Sequence, residues 1–268
     1  MSDFASYQGK TVVITGCFSG MGYATAKMLL DQGAQVHGID YQISDLELAS
    51  FTQTDLRDAA AIDHAVSQMP AQIDALFNCA GVPSTFAPID IFKVNYIGPR
   101  RLTDALLPRM KSGGAIACIS STAAFNWHAS AANIRPLVDI ADFDEAVAFC
   151  EALEVDAYTF SKGAIIIWTM MHSYALVERG LRMNCILPAP TQTPFMDQQE
   201  TITPSAVIDV FSIPMKRRST AAEQAAALVF LNSDEASYIN GVALPVDGGF
   251  MAGVGMGNID LAAMLAPR

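Results

Sequence analysis

Basic residues are scarce in this chain. Its 268 residues include 16 lysines and arginines against 27 aspartates and glutamates, so the formal net charge is −11. Nucleic acids and anionic membrane surfaces both attract basic patches, and neither is an expected partner of this sequence. Charged residues of both signs make up only 16% of the chain, against about 25% in a typical soluble domain. This low fraction is compatible with an apolar interface between subunits.

Long apolar runs and paired cysteines are also lacking. No run approaches the ~18 residues of a transmembrane helix, and residues 1–10 are polar, without the apolar segment of a secretion signal. The five cysteines include no CxxC pair, and the four histidines have no metal-ligand spacing. We therefore expect reduced, buried thiols, no metal site and a cytoplasmic protein.

Short apolar runs alternate with longer helical patterns. The runs are apolar almost throughout, as expected for strands that are covered on both faces. This alternation predicts a single α/β domain over residues 1–268, a Rossmann-type doubly wound parallel β-sheet with helices on both faces. The predicted strands are 11–14, 35–39, 73–78, 115–120, 181–187 and 242–246, and the predicted helices are 21–32, 58–69, 90–110, 157–179 and 221–232.

Two segments interrupt this alternation. Residues 124–156 form an insertion before the helix that should follow the 115–120 strand, and within it residues 142–153 resemble an amphipathic helix with Asp142 as N-cap. Its expected buried side consists of Phe143, Val147, Ala148 and Leu153, with Cys150 nearby. Residues 190–218 contain four prolines and are predicted to form an irregular lid over a substrate site.

A glycine-rich turn follows the first predicted strand. In the sequence TGCFSGMG, Gly16, Gly20 and Gly22 allow the backbone to approach a pyrophosphate, and the next helix supplies N–H donors and the positive end of its dipole. The spacing is GxxxGxG rather than GxGxxG, and glycines often merely form turns. The position between the first strand and the first helix nevertheless favours a nucleotide loop, which includes Ser19 and Met21.

Asp40 ends the second predicted strand. A carboxylate there can accept hydrogen bonds from an adenosine ribose and would repel a 2′-phosphate, and neither Ser19 nor Tyr41 supplies a cation for that phosphate. This favours NAD over NADP, with a carboxylate that merely caps a turn as the alternative. Tyr41, which follows Asp40, is a further candidate for contact with the cofactor. Asp55 and Leu56 are candidates for the adenine edge, although an N-cap of the next helix explains Asp55 nearly as well.

Tyr158 and Lys162 are four residues apart on a predicted helix, so they lie on one face. An ammonium near a phenol favours the phenolate and is expected to lower the pKa of Tyr158 from about 10, which suits proton exchange with an alcohol or carbonyl oxygen. Ser120 and Ser121 end the preceding strand, where a hydroxyl could bind the same oxygen. The Tyr and Lys spacing is common by chance, and a strand-end serine is most often a turn residue.

Seven motifs, in order, resemble those of the short-chain dehydrogenases/reductases over about residues 8–250. They lie at residues 15–22, 78–81, 94–96, 120–121, 158–162, 182–188 and 246–249. The resemblance implies a nicotinamide cofactor, with Tyr158 as the acid/base and Ser121 positioning the carbonyl oxygen. It also implies that Lys162 holds the ribose and tunes Tyr158, and that Asn95 holds a water. Further cofactor contacts implied by the family are Asn78, Ala80, Gly81, Ile186, Pro188, Thr191 and Thr193, besides Tyr158 and Lys162.

Within that family, the pattern is most similar to bacterial 3α-hydroxysteroid dehydrogenases/carbonyl reductases and coniferyl-alcohol dehydrogenases. Ala189 replaces the usual glycine after Pro188, which leaves the path of that loop open. We predict an NAD(H)-dependent oxidoreductase that interconverts an alcohol and a ketone or aldehyde on a bulky apolar substrate, alicyclic, steroid-like or aryl. Residues 122–130, the insertion and the lid are expected to form its pocket. The alternatives are a non-catalytic NAD-binding regulator on the same fold and an isomerase or lyase that uses NAD transiently.

The resemblance also bears on assembly. In this family the helix that carries the Tyr and Lys pair usually packs against its counterpart in a second subunit. If the 124–156 insertion covers that helix, we expect a homodimer through residues 221–249 and the C-terminal tail. The homotetramer common in the family is the alternative.

Overall fold

The computed structural model describes residues 6–265, so the first five and last three residues of the predicted domain lie outside the described part. The strands are β1 (Thr11–Thr15), β2 (Gln35–Asp40), β3 (Ser50–Gln53), β4 (Ile73–Asn78), β5 (Met110–Ile119), β6 (Arg182–Pro188), β7 (Thr191–Gln192), β8 (Ser219–Thr220) and β9 (Ala243–Val246). Seven of them form one parallel sheet in the order β3-β2-β1-β4-β5-β6-β9, which confirms the predicted doubly wound sheet. Because the strand order reverses between β1 and β4, the sheet has a switch point there, where such folds bind ligands.

Helices cover both faces of this sheet. They are α1 (Gly20–Asp31), α2 (Ala59–Gln68), α3 (Pro88–Phe92), α4 (Gly98–Leu106), α5 (Trp127–Asp139), α6 (Phe143–Glu151), α7 (Ala157–Leu176), α8 (Pro194–Gln199), α9 (Ser205–Asp209), α10 (Ala221–Asn232), α11 (Phe250–Gly255) and α12 (Leu261–Leu265). The predicted 90–110 helix is interrupted by a π-helical turn, Lys93–Ile97, between α3 and α4. No helix within residues 6–265 is long and apolar enough to cross a membrane.

Successive strand residues enter two different apolar cores. Val12 and Ile14 of β1 pack in the core beneath α1 and α10, whereas Val13 packs in the core shared with α2, α4 and α7. This period of two, with both faces covered, explains why the strands are apolar at almost every position. Edge strand β3 was not predicted, because Ser50–Gln53 is short, half-exposed and has no apolar run.

The insertion forms two helices, of which the sequence predicted one. Asp142 caps α6 as predicted, accepting hydrogen bonds from the amides of Asp144 and Glu145 at 3.0 Å each. The prediction that Ala148 lies on the buried side of α6 is wrong, because this residue is exposed. The buried side chains are Phe143, Ala146 and Cys150, since these positions share one face at helical spacing.

One of the two inserted helices covers the helix that carries Tyr158 and Lys162. α5 packs against α7, and α6 packs against α3 and the π-helical turn. A Cβ atom added to Gly163 of α7 would lie 2.7 Å from Cδ1 of Ile134 of α5, so the two helices are in close contact there. The insertion therefore occupies part of the outer surface of α7.

The 190–218 segment is more regular than predicted. It contains α8 and α9, and β7 pairs with β8 in a separate two-stranded sheet. Arg218 joins α9 to the end of α8, because its guanidinium contacts both Glu200 and Asp209. The Ser205 hydroxyl donates a further hydrogen bond to Glu200 at 2.7 Å. Ionic and hydrogen-bonded contacts thus give this segment, hereafter the lid, a defined path.

Candidate active site

A cleft of about 780 Å³ lies at the carboxyl ends of the parallel strands. The loops after β1, β4 and β5 form one side of this cleft, and the lid forms the other. The sequence-predicted residues that line it are Gly16, Ser19, Gly20, Met21, Gly22, Asp40, Tyr41, Asp55, Leu56, Ala80, Gly81, Ser121, Tyr158, Lys162, Pro188, Thr191 and Thr193. The fold therefore brings together residues that lie up to about 177 positions apart, at the place where such sheets bind ligands.

Close packing explains the glycines in the loop after β1. Gly16 has a φ of +75°, and a Cβ atom there would lie 2.6 Å from the backbone nitrogen of Ala80. A Cβ atom on Gly22 would lie 2.0 Å from the Gly16 carbonyl oxygen. Gly20 also has a positive φ and faces Thr193 of the lid. The loop thus turns tightly at the N-terminus of α1, a geometry suited to a phosphate.

Asp40 stands at the end of β2, in the wall of the cleft. Its two carboxylate oxygens accept hydrogen bonds from the backbone amides of Phe18 and Gln42, each at 2.9 Å. The carboxylate therefore stabilises the glycine loop while part of it remains in the cleft wall. The turn-capping alternative and the ribose-binding interpretation are compatible, since a carboxylate has about four lone-pair sites.

Asp55 pairs with a cation that the sequence interpretation missed. Arg57 donates to Asp55 at 2.7 Å and to Asp90 at 3.1 Å, and this contact holds the pKa of the Asp55 carboxyl below its usual value. The N-cap of α2 is Asp58, which accepts hydrogen bonds from Ala60 and Ala61, so the N-cap alternative for Asp55 is wrong. Arg57 lines the cleft, but its guanidinium is already paired with two carboxylates.

The two strand-end serines have different positions. Ser120 is buried, and its hydroxyl donates to the backbone carbonyl of Lys162 at 2.7 Å. Both serines line the cleft, and the Ser121 hydroxyl accepts a hydrogen bond from the Ala123 amide at 3.1 Å and acts on the pKa of the Tyr158 phenol. The Lys162 ammonium donates to the carbonyl of Ile119 at 2.9 Å and lies 5.8 Å from the Tyr158 ring centroid. One cleft wall therefore holds a hydroxyl, a phenol and an ammonium group.

The expected pKa of Tyr158 is corrected by the structure. Burial raises the pKa of Tyr158 to about 12, and the negative charge of Asp156 adds to this effect, although the hydrogen bond with Ser121 lowers it. Burial also lowers the pKa of Lys162 from 10.5 to about 8. Desolvation disfavours both charged forms, and in the free protein it sets the direction of both pKa changes. At neutral pH the phenol is therefore protonated and can donate a proton.

Asn95 acts on the cleft through the loop after β4. It lies on the π-helical turn and is buried, and its side chain does not line the cleft. The Asn95 amide accepts a hydrogen bond from Val82 N at 2.8 Å and donates to Val82 O at 3.2 Å. Asn95 therefore fixes the backbone next to Gly81, where an added Cβ would approach Asn95 Oδ1 to 3.2 Å and Lys162 Nζ to 3.5 Å.

Two predicted cofactor contacts lie behind the cleft wall. The Asn78 side chain is buried and donates to Thr103 at 2.9 Å, and Ile186 packs in the apolar core beneath α1 and α10. Pro188 does line the cleft, and its carbonyl accepts a hydrogen bond from Thr122 at 3.0 Å. Among the non-glycine residues of the described chain, only Lys216 has a positive φ, so Ala189 fits the loop without backbone strain.

The lid and the loop after Gly81 both contribute apolar residues to the cleft. These residues are Pro83, Phe86, Phe195, Met196, Val207, Ile208 and Phe211. The Phe195 ring lies 6.0 Å from the Tyr158 ring, so lid helix α8 covers the phenol. The sequence predicts the lid as part of the substrate pocket, but not the loop after Gly81.

The expected contribution of residues 122–130 is largely wrong. Thr122 and Ala123 line the cleft, but the chain then continues into α5. There the rings of Trp127 and His128 stack on each other, with their centroids 3.6 Å apart. The insertion supplies Asp156 to the main cleft and otherwise lines a smaller neighbouring cavity of about 250 Å³. Packing of α5 against α7 explains this outcome, because it directs the apolar side of α5 toward the helix.

Comparison with known proteins identifies the family. A family model described as short chain dehydrogenase matches residues 10–133, and one described as enoyl-(acyl carrier protein) reductase matches residues 144–251. The chain belongs to the short-chain dehydrogenase/reductase family, as its motifs indicated. It is therefore an oxidoreductase of the class that acts on alcohol and carbonyl groups.

Individual relatives are similar over nearly their whole length. A coniferyl-alcohol dehydrogenase from Pseudomonas sp. (strain HR199) is 37% identical over 244 residues, covering 90% of this chain and 96% of that protein. A 3-alpha-hydroxysteroid dehydrogenase/carbonyl reductase from Comamonas testosteroni is 33% identical over 251 residues, again covering 90% and 96%. The solved 3-alpha-hydroxysteroid dehydrogenase from Pseudomonas sp. B-0831, complexed with NADH, has a TM-score of 0.77 and 30% identity over 93% of this chain and 99% of that chain. The predicted similarity to these two kinds of enzyme is confirmed.

Proposed function

We propose that this protein transfers hydride reversibly between NAD(H) and a bulky apolar alcohol or its ketone or aldehyde. The observation that carries the proposal is a single cleft that joins the glycine loop and Asp40 to Ser121, Tyr158 and Lys162 under an apolar lid. The resemblance to a dehydrogenase structure complexed with NADH supports the same cofactor. The cofactor would supply the hydride, whereas the protein orients the substrate, moves the proton and excludes water.

The residues present fit a dinucleotide without a 2′-phosphate. The glycine loop offers backbone N–H groups at the start of α1, and the Asp40 carboxylate lies where a ribose would be held. A phosphate on that ribose would meet a carboxylate, and Arg57 is already engaged by Asp55 and Asp90. Both features favour NAD(H).

The proton would move between Tyr158 and the substrate oxygen. The protonated phenol can donate to a carbonyl oxygen, and the Ser121 hydroxyl can hold the same oxygen by a hydrogen bond. Lys162 places a cation beside the phenol, and Asn95 fixes the neighbouring Val82 backbone. The apolar lid residues, including Phe195 over Tyr158, favour an aryl or alicyclic substrate body.

An absorbance screen at the nicotinamide band tests this function. Steroid ketones, aryl aldehydes and the corresponding alcohols would each be offered with both cofactors. We expect NADH oxidation with a bulky carbonyl compound and the reverse reaction with its alcohol. A regulator or an NAD-using isomerase would give no net change in NADH with any of these compounds. That result would overturn the proposal.

A further inference from the structure

One hydrogen bond joins the two sides of the cleft. The backbone amide of Ser84, in the loop after Gly81, donates to Oε1 of Gln199 at 3.0 Å. Gln199 is the last residue of lid helix α8, and 115 positions separate the two residues. The two residues lie on opposite sides of the cleft, so this hydrogen bond can form only when α8 lies over the cleft.

A second contact fixes the orientation of the Gln199 amide. Its Nε2 donates to the Thr203 hydroxyl at 2.9 Å, while the Thr203 amide donates to the Gln199 carbonyl at 3.0 Å. Since the Ser84 amide can only donate, the Gln199 atom that faces it must be the oxygen. Both polar ends of this side chain are therefore satisfied in one arrangement.

The loop that receives Gln199 is itself fixed by the catalytic region. Asn95 binds both the amide and the carbonyl of Val82, two residues before Ser84. On the other side, α8 carries Phe195, whose ring lies 6.0 Å from that of Tyr158. Gln199 thus connects helix α8, which lies over the phenol, with the backbone segment that Asn95 binds.

We propose that Gln199 is a positioning residue that fixes α8 over the substrate's reactive oxygen. Gln199 needs no part in proton transfer for this role, because it acts through the placement of Phe195 and the lid. The proposal rests on the proposed function, since it assumes that the substrate binds between Tyr158 and the lid. Loss of the bond would reduce the fraction of molecules with a closed lid, and apparent substrate affinity falls with that fraction.

The test uses two variants of Gln199 and one control. Gln199→Met keeps the length of the side chain and removes both the acceptor for Ser84 and the donor to Thr203. Gln199→Glu keeps an acceptor for the Ser84 amide and can also accept from the Thr203 hydroxyl. Gln192→Met makes the same chemical change on an exposed strand residue of the lid segment outside the cleft wall.

Steady-state kinetics with cinnamaldehyde and NADH give the first readout. For Gln199→Met we expect the aldehyde KM to rise roughly 2- to 10-fold, the range that loss of one hydrogen bond spans, with kcat nearly unchanged. Gln199→Glu should restore the original KM, and Gln192→Met should leave it unaltered. An unchanged KM in Gln199→Met, or equal defects in both Gln199 variants, would overturn the proposal.

Residue-resolved hydrogen exchange gives a readout that does not depend on activity. The Ser84 amide should exchange faster in Gln199→Met than in the unmutated protein, with protection restored in Gln199→Glu. Unaltered protection in Gln199→Met would reject the contact whatever the kinetics. If the unmutated protein fails to oxidise NADH with any carbonyl compound, the proposed function fails, while the exchange result still decides whether Gln199 fixes the lid.

Discussion

Replacing Lys162 should change how the stability of the protein depends on pH. The Lys162 side chain is only 3% exposed, and within residues 6–265 it forms no salt bridge with a carboxylate. Burial lowers the pKa of its ammonium from 10.5 to about 8. The folded protein therefore holds an unfavourable charge at neutral pH, which Lys162→Met removes.

The size of this effect follows from the two pKa values. At about 1.4 kcal/mol per pH unit, lowering the pKa from 10.5 to about 8 corresponds to roughly 3 kcal/mol. Below pH 8 the group is protonated in both states, so the folded state carries the full penalty. Between pH 8 and 10.5 the unfolded chain holds the proton and the folded protein does not, so Lys162 penalises folding less as the pH rises.

Urea unfolding from pH 7 to 10 would measure this dependence in the cofactor-free protein. The stability advantage of Lys162→Met over the unmutated protein should shrink with rising pH, by an amount approaching roughly 3 kcal/mol. Taking the difference between the two proteins cancels the titration of Cys17 and Cys150, whose pKa values burial raises to about 12 without any contribution from Lys162. The charge of Lys162 does lower the pKa values of Cys79, Cys118 and Cys185, but burial raises all three well above pH 10. Protomer and reductant concentrations must be held constant. A difference that stays constant with pH would refute the reasoning.

Three further changes test the proposed chemistry and assembly. Tyr158→Phe removes the proton donor and keeps the ring, so kcat should fall at least ~100-fold. NADH binding, measured by fluorescence, should be unchanged. If the variant retains a tenth of the activity, Tyr158 is not the proton donor. Because of Asp40, kcat/KM should be at least ~10-fold higher with NADH than with NADPH, and Asp40→Asn should reduce this ratio. Equal kcat/KM values for the two cofactors in the unmutated protein would reject this role of Asp40. Because α5 covers α7, light scattering should give a dimer, and replacing residues 128–152 by a short Gly/Ser turn should raise the subunit number. A tetramer of the unmutated protein that survives dilution would oppose this model.

The sequence predicted best those parts of the fold that depend on local pattern. The glycine loop, the strands and α7 each follow from a few consecutive residues, because both apolar period and glycine spacing are local. Edge strand β3 has no such pattern, and the π-helical turn at Asn95 lies within an otherwise helical sequence. Neither feature could be read from hydrophobic period alone.

Long-range contacts and solvent exclusion limited the site prediction. The spacing of Tyr158 and Lys162 correctly placed them on one helix face, but it gave no measure of desolvation, so the expected pKa change had the wrong sign. The Arg57 contact with Asp90 and the Gln199 contact with Ser84 join residues that are distant in sequence. Such pairs depend on how elements pack, and no single motif encodes them.

The neighbouring strand-end serines show how the fold assigns roles that composition leaves open. Either Ser120 or Ser121 could have provided the hydroxyl beside Tyr158, since both follow β5. Successive side chains of an extended chain point to opposite sides, so the two hydroxyls meet different partners although both residues line the cleft. Ser120 turns inward and binds the backbone carbonyl of Lys162, which attaches α7 to the end of the strand. The Ser121 hydroxyl is not used in this attachment, and in the cleft wall it lowers the pKa of the phenol that α7 carries.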